Sequence, residues 1–156
     1  GYNLTKKVSY KSLTEEEIAV KGRVIGGCLD ILTELFGTRF DKTKDFLEKY
    51  KNDGFIWYFD NCELSTEDLI RTMWKFKDNG YFKYTKLIIF GRNISEKSYY
   101  DISFKEALKE ALGSLNIPII YDFDLGHVSP RMTIINGAIA NIHYKNHKAT
   151  IEFELK

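Results

Sequence analysis

Two loops of this sequence carry side chains that could act together as an acid–base pair. Asp60, with Glu63 shortly after it, follows an apolar run at 55–59, and His127 lies in the loop after a second run that ends at Tyr121. If both runs are parallel strands of one α/β sheet, the loops meet at the sheet edge where ligands usually bind. A carboxylate beside an imidazole orients that ring as a general base. The plainer alternative is that the acids cap a helix and His127 is an ordinary loop residue, and the pattern alone leaves both open.

A nucleophile to work with such a pair is harder to find. Ser129 is close to His127 in sequence, but it precedes Pro130 and lacks the strand-to-helix elbow that exposes and activates a serine. Cys62 lies just after Asp60, yet no basic residue adjoins it to favour a thiolate, so a structural cysteine is the simpler interpretation. The residues alone therefore predict a base and an acid without their nucleophile.

The same loops also contain residue types that bind metals: His127, Asp122, Asp124 and Cys62. No CxxC or HExxH spacing organises them, so we predict no metal ion and no other cofactor. The pair Gly26-Gly27, which precedes a predicted helix, could hold an anion on its backbone amides. Because no GxGxxG pattern or lysine follows, close packing of a strand and a helix is the favoured interpretation.

Alternating strands and helices must position these residues. Helical spacing or capping signals predict helices at 28–36, at 43–50, from an N-cap at Ser65 to Asn79-Gly80, and from a capping box at Ser103 and Glu106 to Gly113. Apolar runs predict strands at 55–59, 86–90 and 117–121, and a closing hairpin at 138–144 and 149–155. Two successive strand–helix–strand units favour a right-handed, parallel arrangement. We predict an α/β fold with a central parallel sheet and a smaller antiparallel layer.

Length and composition favour one globular domain over residues 1–156 and disfavour several classes of partner. A chain of 156 residues is long enough to bury its own core. Its 23 Lys and Arg against 22 Asp and Glu give a net charge of +1, without the basic excess typical of proteins that bind nucleic acid or anionic membranes. No apolar run approaches the ~18–20 residues of a membrane span. The two cysteines, Cys28 and Cys62, fit a reducing cytoplasm, where we expect the protein to act.

A series of short segments matches one family pattern in order and spacing. These are RVIGGCLD at 23–30, LFGT at 35–38, IWYFD at 56–60, LIRTMW at 69–74, GYF at 80–82, LIIFG at 87–91, GHVSP at 126–130 and INGA at 135–138. Together they resemble the carboxyl-terminal half of LD-carboxypeptidases, serine peptidases that include muramoyltetrapeptide carboxypeptidases and microcin C self-immunity peptidases. The resemblance covers nearly the whole chain.

The resemblance implies a fold, an activity and a site. Family members cleave the amide bond between an L- and a D-amino acid, typically releasing the terminal D-alanine of a murein tetrapeptide, with a Ser–Glu–His triad. Their serine lies on an amino-terminal domain, and the other two residues lie on a carboxyl-terminal domain with a swivelling three-layer β/β/α fold. His127 matches the family histidine. The family glutamate falls on Asp60, which is one methylene shorter, and Glu63 is the alternative acid.

By this resemblance we expect the chain to be the histidine- and acid-bearing half of a two-domain peptidase that is inactive alone. Its expected partners are the amino-terminal serine-bearing domain of the same protein, a peptide substrate and a second copy in a homodimer. Gly1 in place of a methionine favours a piece of a longer protein. Two other functions stay open: a self-immunity peptidase for a peptide–nucleotide antibiotic, and a non-catalytic binding or regulatory module, which Asp60 in place of glutamate favours.

Overall fold

The chain folds into a mixed seven-stranded sheet with helices packed on it. The computed structural model describes residues 5–14, 17–95 and 97–155. Its strands are β1 (Lys11–Ser12), β2 (Glu17–Cys28), β3 (Phe55–Asp60), β4 (Thr85–Gly91), β5 (Ile119–Phe123), β6 (Ile139–Lys145) and β7 (Lys148–Glu154). The α-helices are α1 (Leu29–Leu35), α2 (Thr43–Lys49), α3 (Thr66–Asp78) and α4 (Phe104–Leu112). The predicted α/β class is confirmed.

The predicted parallel strands lie at the centre of the sheet. The strand order is β1-β5-β4-β3-β2-β6-β7, with β2, β3, β4 and β5 parallel and the flanking strands antiparallel. The two predicted strand–helix–strand units are β3–α3–β4 and β4–α4–β5. Because these strands run in one direction, the loops after β3, β4 and β5 emerge at one carboxyl edge.

Both faces of the central strands are covered, as their continuous apolar sequences require. In β3, Trp57 faces the helices and packs in a core with Leu69 and Met73 of α3. Its neighbour Ile56 faces the other way, into a second core that includes Ile142 of β6. The helices therefore bury one face of the sheet, and its own outer strands help to bury the other.

The predicted antiparallel layer is present and is continuous with the parallel strands. β6 pairs with β2 over Glu17–Arg23, so the β6–β7 hairpin extends the central sheet. The sheet is curled, and its two ends come together. The backbone N–H of Tyr10, just before β1, donates to the carbonyl of His147 in the β6–β7 turn at 3.0 Å. The ring of Tyr10 then stacks on Phe123, with centroids 4.5 Å apart.

The long strand β2 lies outside the strands predicted from the sequence. Charged residues interrupt the apolar pattern, but they are satisfied at the sheet surface: Lys21 pairs with Glu154, and Arg23 pairs with Asp53. Gly26 lies inside this strand, where a Cβ would collide with the Tyr58 carbonyl of β3. Gly26 therefore permits close packing between two strands, whereas a Cβ at Gly27 would make ordinary contact with Leu32 of α1.

Helix signals in the sequence are confirmed at the atomic level. The Ser65 hydroxyl accepts from the Asp68 amide at 3.1 Å, and Ser103 with Glu106 makes both bonds of a capping box. The longest helix, α3, has 13 residues. Within the described segments, no helix combines the length and apolar character needed to cross a lipid bilayer.

Candidate active site

Asp60 and His127 meet at the carboxyl edge of the sheet. Asp60 is the last residue of β3 and its side chain is 6% exposed, whereas the His127 side chain, in the loop after β5, is 51% exposed. One Asp60 oxygen contacts His127 Nδ1, and the other accepts from the His127 backbone N–H at 3.4 Å. An ionised carboxylate only accepts hydrogen bonds, so a neutral imidazole that bonds to it in this geometry carries its proton on Nδ1. The second ring nitrogen, Nε2, is then an acceptor on the half-exposed imidazole.

The loop that carries His127 must cross the end of β4, because β4 lies between β3 and β5. Gly91, the last residue of β4, leaves room for this crossing. A Cβ at Gly91 would lie only 2.7 Å from the carbonyl oxygen of Leu125 in the loop. A glycine at the end of one strand thus lets the loop of its neighbour reach the strand beyond.

Gly126 allows the same loop to approach Asp60 closely. Its φ is +88°, a conformation that residues with a side chain rarely adopt, and a Cβ there would overlap the Asp60 carboxylate. The peptide between Gly126 and His127 therefore lies against Asp60. This close approach lets the short side chain of Asp60 contact the histidine.

The alternative acid, Glu63, is exposed and lies farther along the same loop. Its backbone N–H donates to Asp30 at 3.0 Å, and in the described part of the chain its carboxylate makes no hydrogen bond with His127. The structure therefore brings Asp60, and not Glu63, to the histidine.

Asp30, in the first turn of α1, supports the loop after β3 and was missed as a site residue in the sequence. Its carboxylate accepts from the backbone N–H of Cys62 at 3.1 Å, from that of Glu63 and from the Cys28 thiol at 3.2 Å. Burial alone would raise the pKa of Asp30, but these donors outweigh burial and lower it. Asp30 follows the Gly-Gly-Cys segment at the end of β2, and this position was the available signal.

Arg92 braces the histidine loop on both sides of His127, and it too was missed. It pairs with the fully buried carboxylate of Asp124 and donates from Nη1 to the carbonyl of Pro130 at 2.8 Å. The Asp124 carbonyl also accepts from the Met132 amide at 2.8 Å. The only sequence signal was the position of Arg92 directly after a strand at the same sheet edge.

The four metal-ligand candidates named from the sequence do not form one cluster. Asp122 lies within β5, beyond the predicted strand end, and pairs with Lys11 at 2.8 Å. Asp124 is held by Arg92. Instead, the Cys28 thiol, at the end of β2, lies beside Asp60 and His127.

Neither cysteine has the character of an activated nucleophile. Burial and the nearby Asp30 raise the pKa of Cys28 to about 11. Burial and the surrounding carboxylates also raise the pKa of Cys62. Both thiols therefore stay protonated at neutral pH. For Ser129, the described contact is its carbonyl oxygen, which accepts from Lys6 at 2.9 Å.

The fold and the site together define the class of this protein: an α/β domain in which a histidine, oriented by a carboxylate, lies at the ends of the parallel strands. Comparison with known families is more specific, because the model of the LD-carboxypeptidase C-terminal domain matches residues 21–142. The chain belongs to this family.

Its relatives include the Microcin C7 self-immunity protein MccF of Escherichia coli, which is 28% identical over 138 residues, covering 85% of this chain and 37% of that protein. Among solved structures, muramoyltetrapeptide carboxypeptidase from Oxalobacter formigenes superposes with a TM-score of 0.74 over 97% of this chain and 52% of that one, at 20% identity. An MccF-like protein from Bacillus anthracis gives a TM-score of 0.67 at 26% identity, over 91% of this chain and 41% of that one. The chain spans about half or less of the length of these relatives.

Proposed function

We propose that this chain supplies the histidine and the acid of a serine-type LD-carboxypeptidase, and that a serine on another domain completes the triad. Family membership supports the hydrolase class. The observation that carries the proposal is the contact between His127 Nδ1 and the buried carboxylate of Asp60 at the carboxyl edge of the sheet. A reducing cytoplasm, consistent with the free Cys28 and Cys62, is part of the proposal.

In this mechanism His127 acts as the general base through Nε2. It takes the proton of the serine hydroxyl as the serine oxygen attacks the scissile carbonyl, and returns that proton to the amine of the departing amino acid. Water then attacks the acyl-enzyme. His127 takes a proton from this water and returns it to the serine oxygen as the acyl group leaves. Asp60 stays ionised throughout, holds the ring in one tautomer and stabilises the imidazolium that forms.

The position of Asp60 favours this catalytic role over the alternative of a non-catalytic module. A module without catalytic function would not require a buried carboxylate in contact with an exposed imidazole. Here the shorter acid still reaches His127, because Gly126 and Gly91 let the loop come close. The substitution of aspartate for glutamate is therefore compensated by the backbone.

For the substrate, we propose the L–D amide bond of a murein tetrapeptide, which the family resemblance favours. The test is release of D-alanine from such a peptide by this chain, alone and joined to a serine-bearing amino-terminal domain. We expect no release by the chain alone, and release by the joined protein that falls by at least about a thousandfold in His127→Asn. Turnover by the chain alone that was abolished by Ser129→Ala or Cys62→Ala would contradict the proposal.

A self-immunity peptidase is the second candidate, and the 28% identity with MccF favours it. The same joined protein discriminates the two when it is given a peptide–nucleotide conjugate in place of the tetrapeptide. The substrate with the higher kcat/KM identifies the function, and binding without turnover of either one would favour the module.

A further inference from the structure

Three side chains of different chemical type converge at the carboxyl edge of the sheet. The Cys28 thiol, the Asp60 carboxylate and a ring nitrogen of His127 each offer one atom, and these atoms all lie within 4.8 Å of one another. Two of the three are held by strand pairing, because Cys28 and Asp60 are register partners at the ends of β2 and β3. The third comes from the loop that crosses the end of β4.

This combination of sulfur, nitrogen and oxygen is the ligand set of a borderline-soft divalent ion such as Zn²⁺. Open zinc sites use three protein ligands and leave the fourth position to water. Asp60 is buried, Cys28 is half-buried and His127 is half-exposed, so the cluster is anchored on one side and open to solvent on the other.

The surroundings hold the ligands close together before any ion binds. The Cys28 thiol donates to Asp30 at 3.2 Å, and Asp30 is itself fixed by two backbone amides of the next loop; this thiol bond is given up when the sulfur loses its proton to the metal. Asp60 accepts from the His127 backbone N–H. The ligands therefore start close to a position in which one ion could bridge them.

We propose that this chain binds one Zn²⁺ ion through Cys28, Asp60 and His127, with water at the remaining position. On binding, a sulfur–zinc bond replaces the S–H bond and the thiol proton passes to solvent. The ion also replaces the hydrogen bond between Asp60 and His127: Nδ1 loses its proton, Nε2 takes one up from solvent, and the neutral, half-exposed ring moves slightly to bind through Nδ1. The protein undergoes no change of oxidation state.

The site discriminates against harder ions. Mg²⁺ and Ca²⁺ prefer several oxygen ligands, and this cluster offers one carboxylate. The adjoining carboxylate of Asp30 is held by the backbone amides of Cys62 and Glu63, so it does not add to the set. Asp122 and Asp124 pair with Lys11 and Arg92. If the proposed catalytic role is correct, a bound Zn²⁺ also occupies the general base, and this consequence alone rests on the proposed function.

The test is a titration of the 156-residue chain with Co²⁺, which reports thiolate coordination through a near-ultraviolet charge-transfer band, followed by displacement with Zn²⁺. We expect one ion per chain, a thiolate band, and full displacement by Zn²⁺ but not by millimolar Mg²⁺. Loss of a supporting group typically weakens a metal site about 10–100-fold, so Cys28→Ser and His127→Asn should each raise the Kd for Zn²⁺ at least about tenfold.

Cys62→Ser is the matched control, because it removes the other cysteine at the same sheet edge and should change the Kd less than about twofold. Far-ultraviolet circular dichroism confirms that each variant is folded, and Asp60→Asn provides a third ligand variant should Cys28→Ser unfold. Absence of a thiolate band, or a band lost in Cys62→Ser and kept in Cys28→Ser, would overturn the proposal. No peptide is hydrolysed in this experiment, so its outcome is independent of the proposed function.

Discussion

At the scale of single residues, the site depends on the absence of a side chain at Gly126 as much as on the carboxylate of Asp60 and the imidazole of His127. A short carboxylate reaches the imidazole because the preceding glycine has no Cβ to keep the loop away. The sequence predicted that Asp60 and His127 lie at the same edge of the sheet. The role of Gly126 could not be predicted, because it depends on the conformation of the loop.

Replacing Gly126 by alanine should destabilise the fold and disturb the pair. The positive φ costs about 1–2 kcal/mol for any residue with a side chain, and the overlap with Asp60 adds about 1–3 kcal/mol as local overpacking. Urea unfolding measures the free energy, and NMR signals of the His127 ring report the disturbance.

Gly137→Ala is the matched control for this change. Gly137 has nearly the same φ, +84° against +88°, but a Cβ there meets nothing within 4 Å. It should therefore show only the conformational cost and leave the His127 signals in place. Equal losses of stability in the two variants would contradict the proposed close contact at Gly126.

At the scale of elements, sequence patterns predicted most of the scaffold and little of its bracing. The continuous apolar run of β3 and the caps at Ser65 and Ser103 are local signals, and they were interpreted correctly. β2 was missed because Lys21 and Arg23 interrupt its apolar pattern and find their partners far along the chain.

The braces were missed for the same reason. Arg92 and Asp124 are 32 residues apart, as are Asp30 and Cys62, and nothing local marks either contact. Such pairs become visible only when the sheet brings the strand ends together.

Arg92→Met tests the brace of the histidine loop. It removes the Arg92 guanidinium from the fully buried Asp124, and breaking a buried pair from one side costs about 3–5 kcal/mol. We expect a loss of this size in urea unfolding, with part of it recovered in the double variant Arg92→Met/Asp124→Asn, because the buried charge is then removed.

The comparison variant is Lys83→Met, which breaks an exposed pair with Glu48. Both side chains are about half exposed there, so solvent screens the pair and the loss of stability should be close to zero. A loss at Arg92 no larger than the loss at Lys83 would mean that Arg92 does not brace the loop.

At the scale of the whole molecule, buried and bonded carboxylates should set the acid limit of stability. Burial would raise the pKa of Asp41, but the Tyr81 hydroxyl, Thr43 and the Gly37 amide outweigh burial and lower it to about 2. Likewise, Ser98 and the amides of the loop after β4 outweigh burial and lower the pKa of Glu67 to about 2.

A carboxyl pKa that is lower in the folded state stabilises the fold above the unfolded value and ceases to do so as the pH falls through the folded value. For Asp41 the window runs from about 3.8 down to about 2. We therefore expect the free energy of unfolding to fall with pH across this window, and to fall less steeply in Asp41→Asn. An equal slope in the wild type and Asp41→Asn would contradict the assignment.

The most direct test of the central claim is the tautomer of His127, read from its ring ¹⁵N signals in this chain at neutral pH. We predict a proton on Nδ1 and an unprotonated Nε2, a pattern lost in Asp60→Asn and kept in Glu63→Gln. A proton on Nε2 in the wild type, or a pattern that responds to Glu63→Gln and not to Asp60→Asn, would contradict it.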